Sequence, residues 1–197
     1  MNNLFNPQSI KQVIIGTKSQ SRRKLLKMMN LKFQYRSANI NEKAIKNLKN
    51  DKYDALKIAK AKAAHLSKKN KNKIIITFDT IILHMGKTIF KCNTKKCCNK
   101  TLKSFNNTSH NLYTGMVFMI NNCLIGSSLT KTKIDFKKNK IKDINEYVEE
   151  NFKEISSAVG CYNIEGKGNS FFKDIEKSYF NVIGIDIINF LKILKSI

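Results

Sequence analysis

The sequence predicts an α/β protein built on a mixed β-sheet flanked by helices. Short runs rich in β-branched residues, such as Lys73–Phe78 ("KIIITF"), are typical of buried strands. Segments with apolar residues at helical spacing, such as Asp54–Lys69, alternate with these runs along the chain. Turn signals such as Asn121–Asn122 separate neighbouring apolar runs, which predicts hairpins and therefore antiparallel pairs in the same sheet.

The predicted strands share short apolar or alternating runs bounded by turn residues. In chain order they are Val13–Gly16, Phe33–Ser37, Lys73–Phe78, Thr80–Leu83, Thr88–Phe90, Leu112–Ile120, Cys123–Leu129, Phe171–Ile175 and Asn181–Ile185. Two of the connections predict hairpins, because Gly86 and Asn121–Asn122 tolerate the positive φ angles of tight turns.

The predicted helices repeat apolar residues three or four positions apart. They are Ser21–Met29, Asp54–Lys69, Lys95–Phe105, Ile141–Phe152 and Ile187–Leu194. The last is amphipathic, and no apolar run approaches the length of a membrane span, so we expect no membrane partner. No repeat or proline-rich linker divides the chain, which predicts one folded unit over residues 1–197.

The chain is strongly basic, with 37 Lys and Arg residues against 14 Asp and Glu and a formal net charge of +23. Such a charge favours polyanionic partners such as nucleic acid, nucleotides or an anionic membrane. However, Lys, Asn, Ile and Phe are abundant together, whereas there is one Pro and no Trp. Because an AT-rich genome produces this joint bias, the charge alone does not indicate nucleic-acid binding.

The five cysteines are odd in number and irregular in spacing, and no CxxC pair occurs among them. They are Cys92, Cys97, Cys98, Cys123 and Cys161. This pattern does not resemble a structural zinc site, and the N-terminus has no signal-peptide core. We therefore expect reduced thiols in a cytoplasmic protein, with Cys97 and Cys98 as small apolar residues on a helix.

Asp79 is the leading candidate for chemistry because it directly follows the buried run Lys73–Phe78. At the carboxyl end of a strand it would face the crevice in which α/β proteins hold ligands. A carboxylate there can bind a metal ion or accept a proton from water. A lone aspartate is also a common turn former, so its position leaves both interpretations open.

Several cationic residues lie at positions suited to an anion. The segment Ile14–Leu26 ("IIGTKSQSRRKLL") ends an apolar run with hydroxyls and two arginines where a helix begins, and helix N-termini attract anions. A capped helix on a basic surface is the alternative. Lys62 lies among alanines on a predicted helix, and Lys91 follows the returning hairpin strand. Each lysine alone is more typical of a solvated surface.

The glycine-bearing segment Gly160–Gly168 does not match a phosphate-binding loop, because the spacing is wrong and no Ser or Thr follows Lys167. The histidines His65, His84 and His110 have no metal-ligand spacing. These residues therefore predict neither a Walker-type site nor a histidine metal site.

Several sequence motifs, in their order and spacing, resemble those of the Maf family of nucleoside triphosphate pyrophosphatases over nearly the full chain. The family pattern "LASxSPxRRxLL" is similar to Ile15–Leu26, its "DE" to Asn41–Glu42 and its "LAxxKA" to Ile58–Ala63. Further along, "ADTvv…G…lgKP" is similar to "FDTIILHMGKTIFKC" and "H.vyTG" to His110–Gly115. The last block, "VGcYxxEGxG…f…i…yfxvxGlpl", resembles "VGCYNIEGKGNSFFKDIEKSYFNVIGIDI".

The resemblance implies hydrolysis of a nucleoside triphosphate to the monophosphate and pyrophosphate with Mg²⁺ or Mn²⁺. It also implies an elongated α/β fold with a nucleotide-binding cleft between two lobes, often in a homodimer. Asp79 would accept the proton from water and hold the metal together with Glu42. The residues implied to bind the phosphates are Ser19, Arg22, Lys62 and Lys91.

Within this resemblance, Glu165 and the spacing "SQSRR" bear on the choice of substrate. Branches that prefer dTTP and UTP show glutamine at the matching position, and the branch acting on 7-methyl-GTP shows glutamate. Glu165 would face the base or the metal side of the cleft and favours 7-methyl-GTP, with a dTTP/UTP preference as the alternative.

The chain departs from the family pattern at several matched positions. Asn41 removes a negative charge beside the implied metal, which predicts weaker cation affinity, and lost prolines loosen loops. The departures are Gln20, Cys92 and Asp186 in place of prolines, Asn41 in place of an acid, Phe78 in place of a small residue and Lys177 in place of a glycine.

Two functions of another class compete with an enzyme. A basic nucleic-acid-binding module would need a clustered basic face with stacking aromatics, but the lysines are spread throughout, so nucleic acid is not an expected partner. A regulator of cell division acting through a partner is the other alternative. The presence of Asp79, Lys62 and Lys91 favours catalysis over both.

Overall fold

The fold is centred on a mixed β-sheet, as the sequence predicts. The computed structural model describes residues 13–31, 33–45 and 51–197, and within them the sheet has seven strands in the order β2-β1-β3-β5-β6-β7, with β4 paired to β3. β1 is parallel to β2 and β3, and the other pairs are antiparallel. The strands are β1 Val13–Gly16, β2 Gln34–Arg36, β3 Ile74–His84, β4 Lys87–Ile89, β5 Ser109–Ile120, β6 Cys123–Phe136 and β7 Phe172–Ile175.

Helices cover the sheet and end close to the predicted bounds. They are α1 Gln20–Met28, α2 Glu42–Ile45, α3 Asp54–Lys69, α4 Lys95–Phe105, α5 Ile141–Ile155, α6 Tyr179–Ile183 and α7 Ile187–Lys195, with a 3₁₀ turn over Lys167–Phe171. Side-chain oxygens of Ser19, Thr94 and Asp186 cap α1, α4 and α7. These caps start the helices because each satisfies an otherwise unpaired N–H group. None of the helices in the described residues is long and apolar enough to cross a membrane.

The two faces of β3 pack against different helices. Ile75 lies with Ala59 and Ala63 of α3 in one buried cluster. Ile76 and Phe78 lie in a second cluster with Phe190 of α7. Because both faces are covered, the residues of β3 before Asp79 are continuously apolar or buried rather than alternating.

A third buried cluster lies at the far end of the sheet. It joins the outer part of β3 to α4 and α5, with Leu102, Phe105 and Tyr147 among its members. His110 stacks on Phe105 at a centroid distance of 4.2 Å and contacts the hydroxyl of Tyr162 at 2.9 Å. His110 is therefore a residue of the buried core.

Three expectations from the sequence are wrong. Lys73–Phe78 and Thr80–Leu83 are not separate strands, because β3 runs without interruption from Ile74 to His84. The predicted strand Asn181–Ile185 is instead the short helix α6 and its C-terminal turn, with Ser178 as the cap. A short apolar run does not distinguish the two structures. In addition, the thiols are not all reduced, because Cys92 and Cys97 form a disulfide.

Asparagine supplies many of the left-handed turn positions. Asn30, Asn72, Asn107, Asn121 and Asn122 all have positive φ angles. The side chain of Asn121 accepts a bond from the backbone N–H of Asn72 at 2.8 Å and donates one to the Asn72 side chain at 3.0 Å. The turn between β5 and β6 is thereby joined to the connection between α3 and β3.

Candidate active site

Asp79 lies in the middle of β3, not at its end as the sequence predicts. The pairing of β1 with β3 stops at Thr77, and the pairing of β4 with β3 begins at Ile82. Asp79 therefore lies beside the carboxyl end of the parallel strand β1, in the gap that β1 and β4 leave along this edge of β3. This is the position at which α/β sheets hold ligands, although the strand that ends there is a neighbour of the one that carries Asp79.

The Asp79 carboxylate is buried and bound to a lysine. Lys62 Nζ lies 2.7 Å from Asp79 Oδ1 and 2.8 Å from Glu42 Oε1, so one ammonium group bridges two carboxylates. The Lys62 and Asp79 side chains are only 13% and 11% exposed. Lys62 therefore does not have the solvated environment usual for a lysine in this basic chain.

Arg22, in α1, is held by hydrogen bonds on the opposite face of β3 from Lys62. Arg22 donates to the Gly184 carbonyl from Nε at 2.9 Å and to the Thr80 hydroxyl from Nη2 at 2.8 Å. It also lies over the ring of Phe78, 5.6 Å from the centroid. Burial lowers the pKa of Arg22, and the charges of Asp79 and Glu42 oppose that shift. Because a guanidinium does not lose its proton in proteins, Arg22 is a cation held in one orientation.

Ser19 and Lys91 complete the cationic side of the site. Ser19 accepts a bond from the Arg22 backbone N–H at 3.3 Å and caps α1, so the N-terminus of this helix lies at the Arg22 side of the site. Burial lowers the pKa of Lys91, while the charges of Glu42 and Asp79 raise it. The hairpin has thus brought Lys91 into the electrostatic range of Asp79, as the sequence predicts. We refer to Asp79, Glu42, Lys62, Arg22 and Lys91 as the Asp79 site.

Burial raises the pKa of Asp79 above the usual range of an aspartate, and the ammonium of Lys62 is the main influence in the opposite direction. A carboxylate with a raised pKa accepts protons more readily than an exposed aspartate does. The arrangement is therefore chemically suited to a base beside a cluster of cations.

Glu165 lies in a neighbouring cleft of about 900 Å³. Its carboxylate is 3.5 Å from Lys24 Nζ, and in the described part of the chain it forms no bond to Asp79 or Lys62. We call this space the Glu165 cleft. Among the residues that line it are Arg23, Lys24, Tyr35, Asn163 and Glu165.

Comparison with known proteins identifies the family. The model of the family described as Maf-like protein matches residues 12–197. The chain belongs to the Maf family.

Individual relatives agree with this assignment. A dTTP/UTP pyrophosphatase of Pyrococcus furiosus is 32% identical, with 94% of this chain and 95% of the relative covered. A dTTP/UTP pyrophosphatase of Clostridium botulinum is 28% identical, over 90% of this chain and 93% of the relative. A nucleoside triphosphate pyrophosphatase of Pelagibacter ubique is 26% identical, over 94% of this chain and the whole relative.

The departures from the Maf pattern have local explanations in this chain. Phe78 packs against Phe190 at a centroid distance of 6.3 Å and supports Arg22, so the larger side chain fills the core. Asp186 replaces a proline at the start of α7 and caps that helix through the Asn189 N–H. Lys177 stands in place of a glycine at a φ of 76°, a conformation that is unfavourable for a side chain.

Three residues of the site environment escaped the sequence analysis. Thr80 and Gly184 anchor Arg22, and Gly115 lies opposite Asp79 in the sheet. A Cβ atom on Gly115 would lie 2.5 Å from the backbone of Ala55 and Leu56, so α3 crosses β5 with no room for a side chain. All three belong to the motifs that carry the Maf resemblance, and their presence in these motifs is the sequence feature that could have identified them.

Proposed function

We propose that this Maf protein hydrolyses nucleoside triphosphates to the monophosphate and pyrophosphate. The observation that carries the proposal is a buried aspartate, Asp79, held by Lys62 within reach of the charges of Arg22 and Lys91. Relatives with nearly full coverage bear the names dTTP/UTP pyrophosphatase and nucleoside triphosphate pyrophosphatase.

The cations of the Asp79 site would hold the triphosphate. Arg22, Lys62 and Lys91 offer three positive charges, and Ser19 places the N-terminus of α1 beside them. Attack at the α-phosphorus builds negative charge on its equatorial oxygens, and fixed cations stabilise that charge. By orienting the triphosphate and stabilising this charge, these groups would supply most of the catalysis.

Asp79 would act as the general base. It accepts a proton from the attacking water while the new bond to the α-phosphorus forms. The bond between the α-phosphorus and its bridging oxygen then breaks, and pyrophosphate leaves with the electron pair. The raised pKa of Asp79 favours this proton transfer, and Lys62 orients the carboxylate.

Asp79 and Glu42 fit a hard divalent cation, Mg²⁺ or Mn²⁺. The two carboxylates lie close to each other, since each has one oxygen in contact with Lys62 Nζ. Oxygen donors from two carboxylates, phosphates and water are the ligands that these ions prefer. When bound, the ion would neutralise charge on the phosphate oxygens. Asn41, which replaces an acidic residue, predicts weaker binding than in a site with a third carboxylate.

The Glu165 cleft is our candidate for the base. The names of the relatives support dTTP and UTP, whereas Glu165 itself supports 7-methyl-GTP, because a carboxylate attracts the positive charge of a methylated guanine. Arg23 lies over Tyr35 at 5.2 Å in the same cleft, which provides a planar surface for stacking. We also propose, from the family resemblance alone, a single domain over residues 1–197, a cytoplasmic location and a homodimer.

The test is a product analysis with purified protein. dTTP, UTP, 7-methyl-GTP and the common nucleoside triphosphates are incubated with Mg²⁺ or Mn²⁺, and monophosphate, diphosphate and pyrophosphate are measured. We expect monophosphate and pyrophosphate in equal amounts, lost in Asp79→Asn and Lys62→Met. Lys60→Met, an exposed lysine on the same helix, is the matched control and should retain activity. Release of single phosphates, or full activity in Asp79→Asn, would contradict the proposal.

A further inference from the structure

A cluster of cysteine sulfurs lies outside the Asp79 site. The Sγ atoms of Cys92, Cys98 and Cys161 all lie within 4.8 Å of one another, and all three residues are buried. Cys97 joins the same cluster, because its sulfur is bonded to that of Cys92 in the disulfide. Three buried sulfurs from two distant parts of the chain therefore converge at one point, and the exposed Cys97 adjoins them through its bond to Cys92.

The convergence is created by the fold and is invisible in the sequence spacing. Cys92 precedes α4, Cys97 and Cys98 lie in its first turns, and Cys161 comes from the turn after α5. Cys161 has a φ of 60°, in the left-handed region, where a side chain is unfavourable. The disulfide uses one of the three converging sulfurs, that of Cys92, so the buried free thiols of Cys98 and Cys161 lie beside it.

We propose that the reduced chain binds one Zn²⁺ ion through the thiolates of Cys92, Cys97, Cys98 and Cys161. Four thiolates are a common ligand set of structural zinc, and thiolates select zinc over the hard cations proposed for Asp79 and Glu42. The sulfurs of Cys92, Cys98 and Cys161 lie within 4.8 Å of one another and need only small side-chain movements to reach Zn–S distances of about 2.3 Å. Reduction releases the sulfur of Cys97 from that of Cys92, so that Cys97 can supply the fourth ligand. Binding displaces a proton from each thiol, and no electron transfer is needed once the disulfide has been reduced.

The disulfide and the ion exclude each other, because a sulfur in the Cys92–Cys97 bond is not a thiolate. The ion would tie the start of α4 to the segment after α5. The first of these segments directly follows Lys91, and the second leads to Glu165. A zinc ion would therefore brace two segments that border the proposed active site without entering it.

The experiment uses the full chain reduced with a phosphine and exchanged into thiol-free buffer. Co²⁺ is titrated as a spectroscopic probe, then displaced by Zn²⁺, and retained zinc is measured after desalting. We expect a sulfur-to-cobalt charge-transfer band, tetrahedral d–d bands and one zinc per chain. Chain oxidised with diamide, whose disulfide occupies two ligands, should show none of these.

Variants assign the ligands. Cys123→Ser removes the exposed cysteine outside the cluster and should bind as the wild type does. Cys98→Ser and Cys161→Ser should lose the cobalt band and the retained zinc, and Cys97→Ser should fail to retain zinc against a chelator. Circular dichroism checks that each variant is folded. Absence of the band in reduced wild type, or binding by the cluster variants equal to that of Cys123→Ser, would overturn the proposal.

Discussion

The substitution Gly115→Ala tests how the fold places Lys62 against Asp79. A Cβ atom at position 115 would lie 2.5 Å from backbone atoms of Ala55 and Leu56, in the first turn of α3. Ordinary contact between carbon atoms begins near 3.5 Å, so the helix must recede by roughly 1 Å. Because the obstructing atoms are backbone, no side-chain rotation relieves the clash. We expect a loss of about 1–3 kcal/mol in the free energy of unfolding, the usual cost of overpacking.

The same displacement moves Lys62, which belongs to α3, away from Asp79. A misplacement of about 1 Å costs catalysis on the order of a hundredfold, so kcat/KM for pyrophosphate release should fall by about ten- to a hundredfold. Denaturant unfolding and steady-state kinetics measure the two effects separately.

Gly86→Ala is the control for this experiment. Gly86 has a φ of +73° at the hairpin tip and open space around its Cβ position, so alanine there costs about 1 kcal/mol of backbone strain without touching α3. We expect Gly86→Ala to lose stability and keep kcat/KM. If Gly115→Ala also kept the wild-type kcat/KM, the close approach of α3 to β5 would not position Lys62.

Four further predictions follow from single residues. Asp79→Asn should be inactive yet at least as stable as wild type at pH 7 in denaturant unfolding, because the raised pKa of Asp79 means that its ionised form lowers the stability of the folded state. For the same reason, kcat/KM should fall on the acid side with an apparent pKa above that of an exposed aspartate. Burial lowers the pKa of His110 to about 3, so between pH 6.5 and 3 the unfolded chain binds a proton that the folded chain does not. As the pH decreases through this range, the free energy of unfolding should decrease by up to about 1.4 kcal/mol per pH unit, and His110→Gln should remove this contribution from the unfolding curves. Lys177→Gly should raise the free energy of unfolding by up to about 1 kcal/mol by releasing the left-handed strain. Arg22→Lys should lower kcat/KM although the charge is kept, because an ammonium lacks the planar fork that donates to two fixed acceptors; unchanged kinetics would show that charge alone suffices.

Local patterns in the sequence predict most elements but not how they meet. Asp54–Lys69 and Lys95–Phe105 are predicted with the bounds that the structure has, because apolar periodicity is clear in long helices and Thr94 caps the second of them. The run Asn181–Ile185 is wrongly assigned because five apolar-rich residues fit a strand and a helix equally well.

In the candidate site, too, the sequence predicts which residues take part but not how they are arranged. The family motifs select Asp79, Lys62 and Lys91, but Asp79 lies within β3 and not at its end, since β1 is the strand that stops there. The convergence of Cys161 with Cys92 depends on tertiary contacts that no spacing rule expresses. Gly115 is explained only once α3 is known to cross β5.

The asparagines at left-handed positions show how a biased composition is accommodated. Codons for asparagine are AT-rich and those for glycine are GC-rich, so an AT-rich composition favours asparagine at turn positions. Asparagine tolerates the same backbone conformation, and its amide adds bonds that glycine lacks, as between Asn121 and Asn72. Asparagine at such turns therefore gives this chain cross-links between loops that glycine at the same positions could not make.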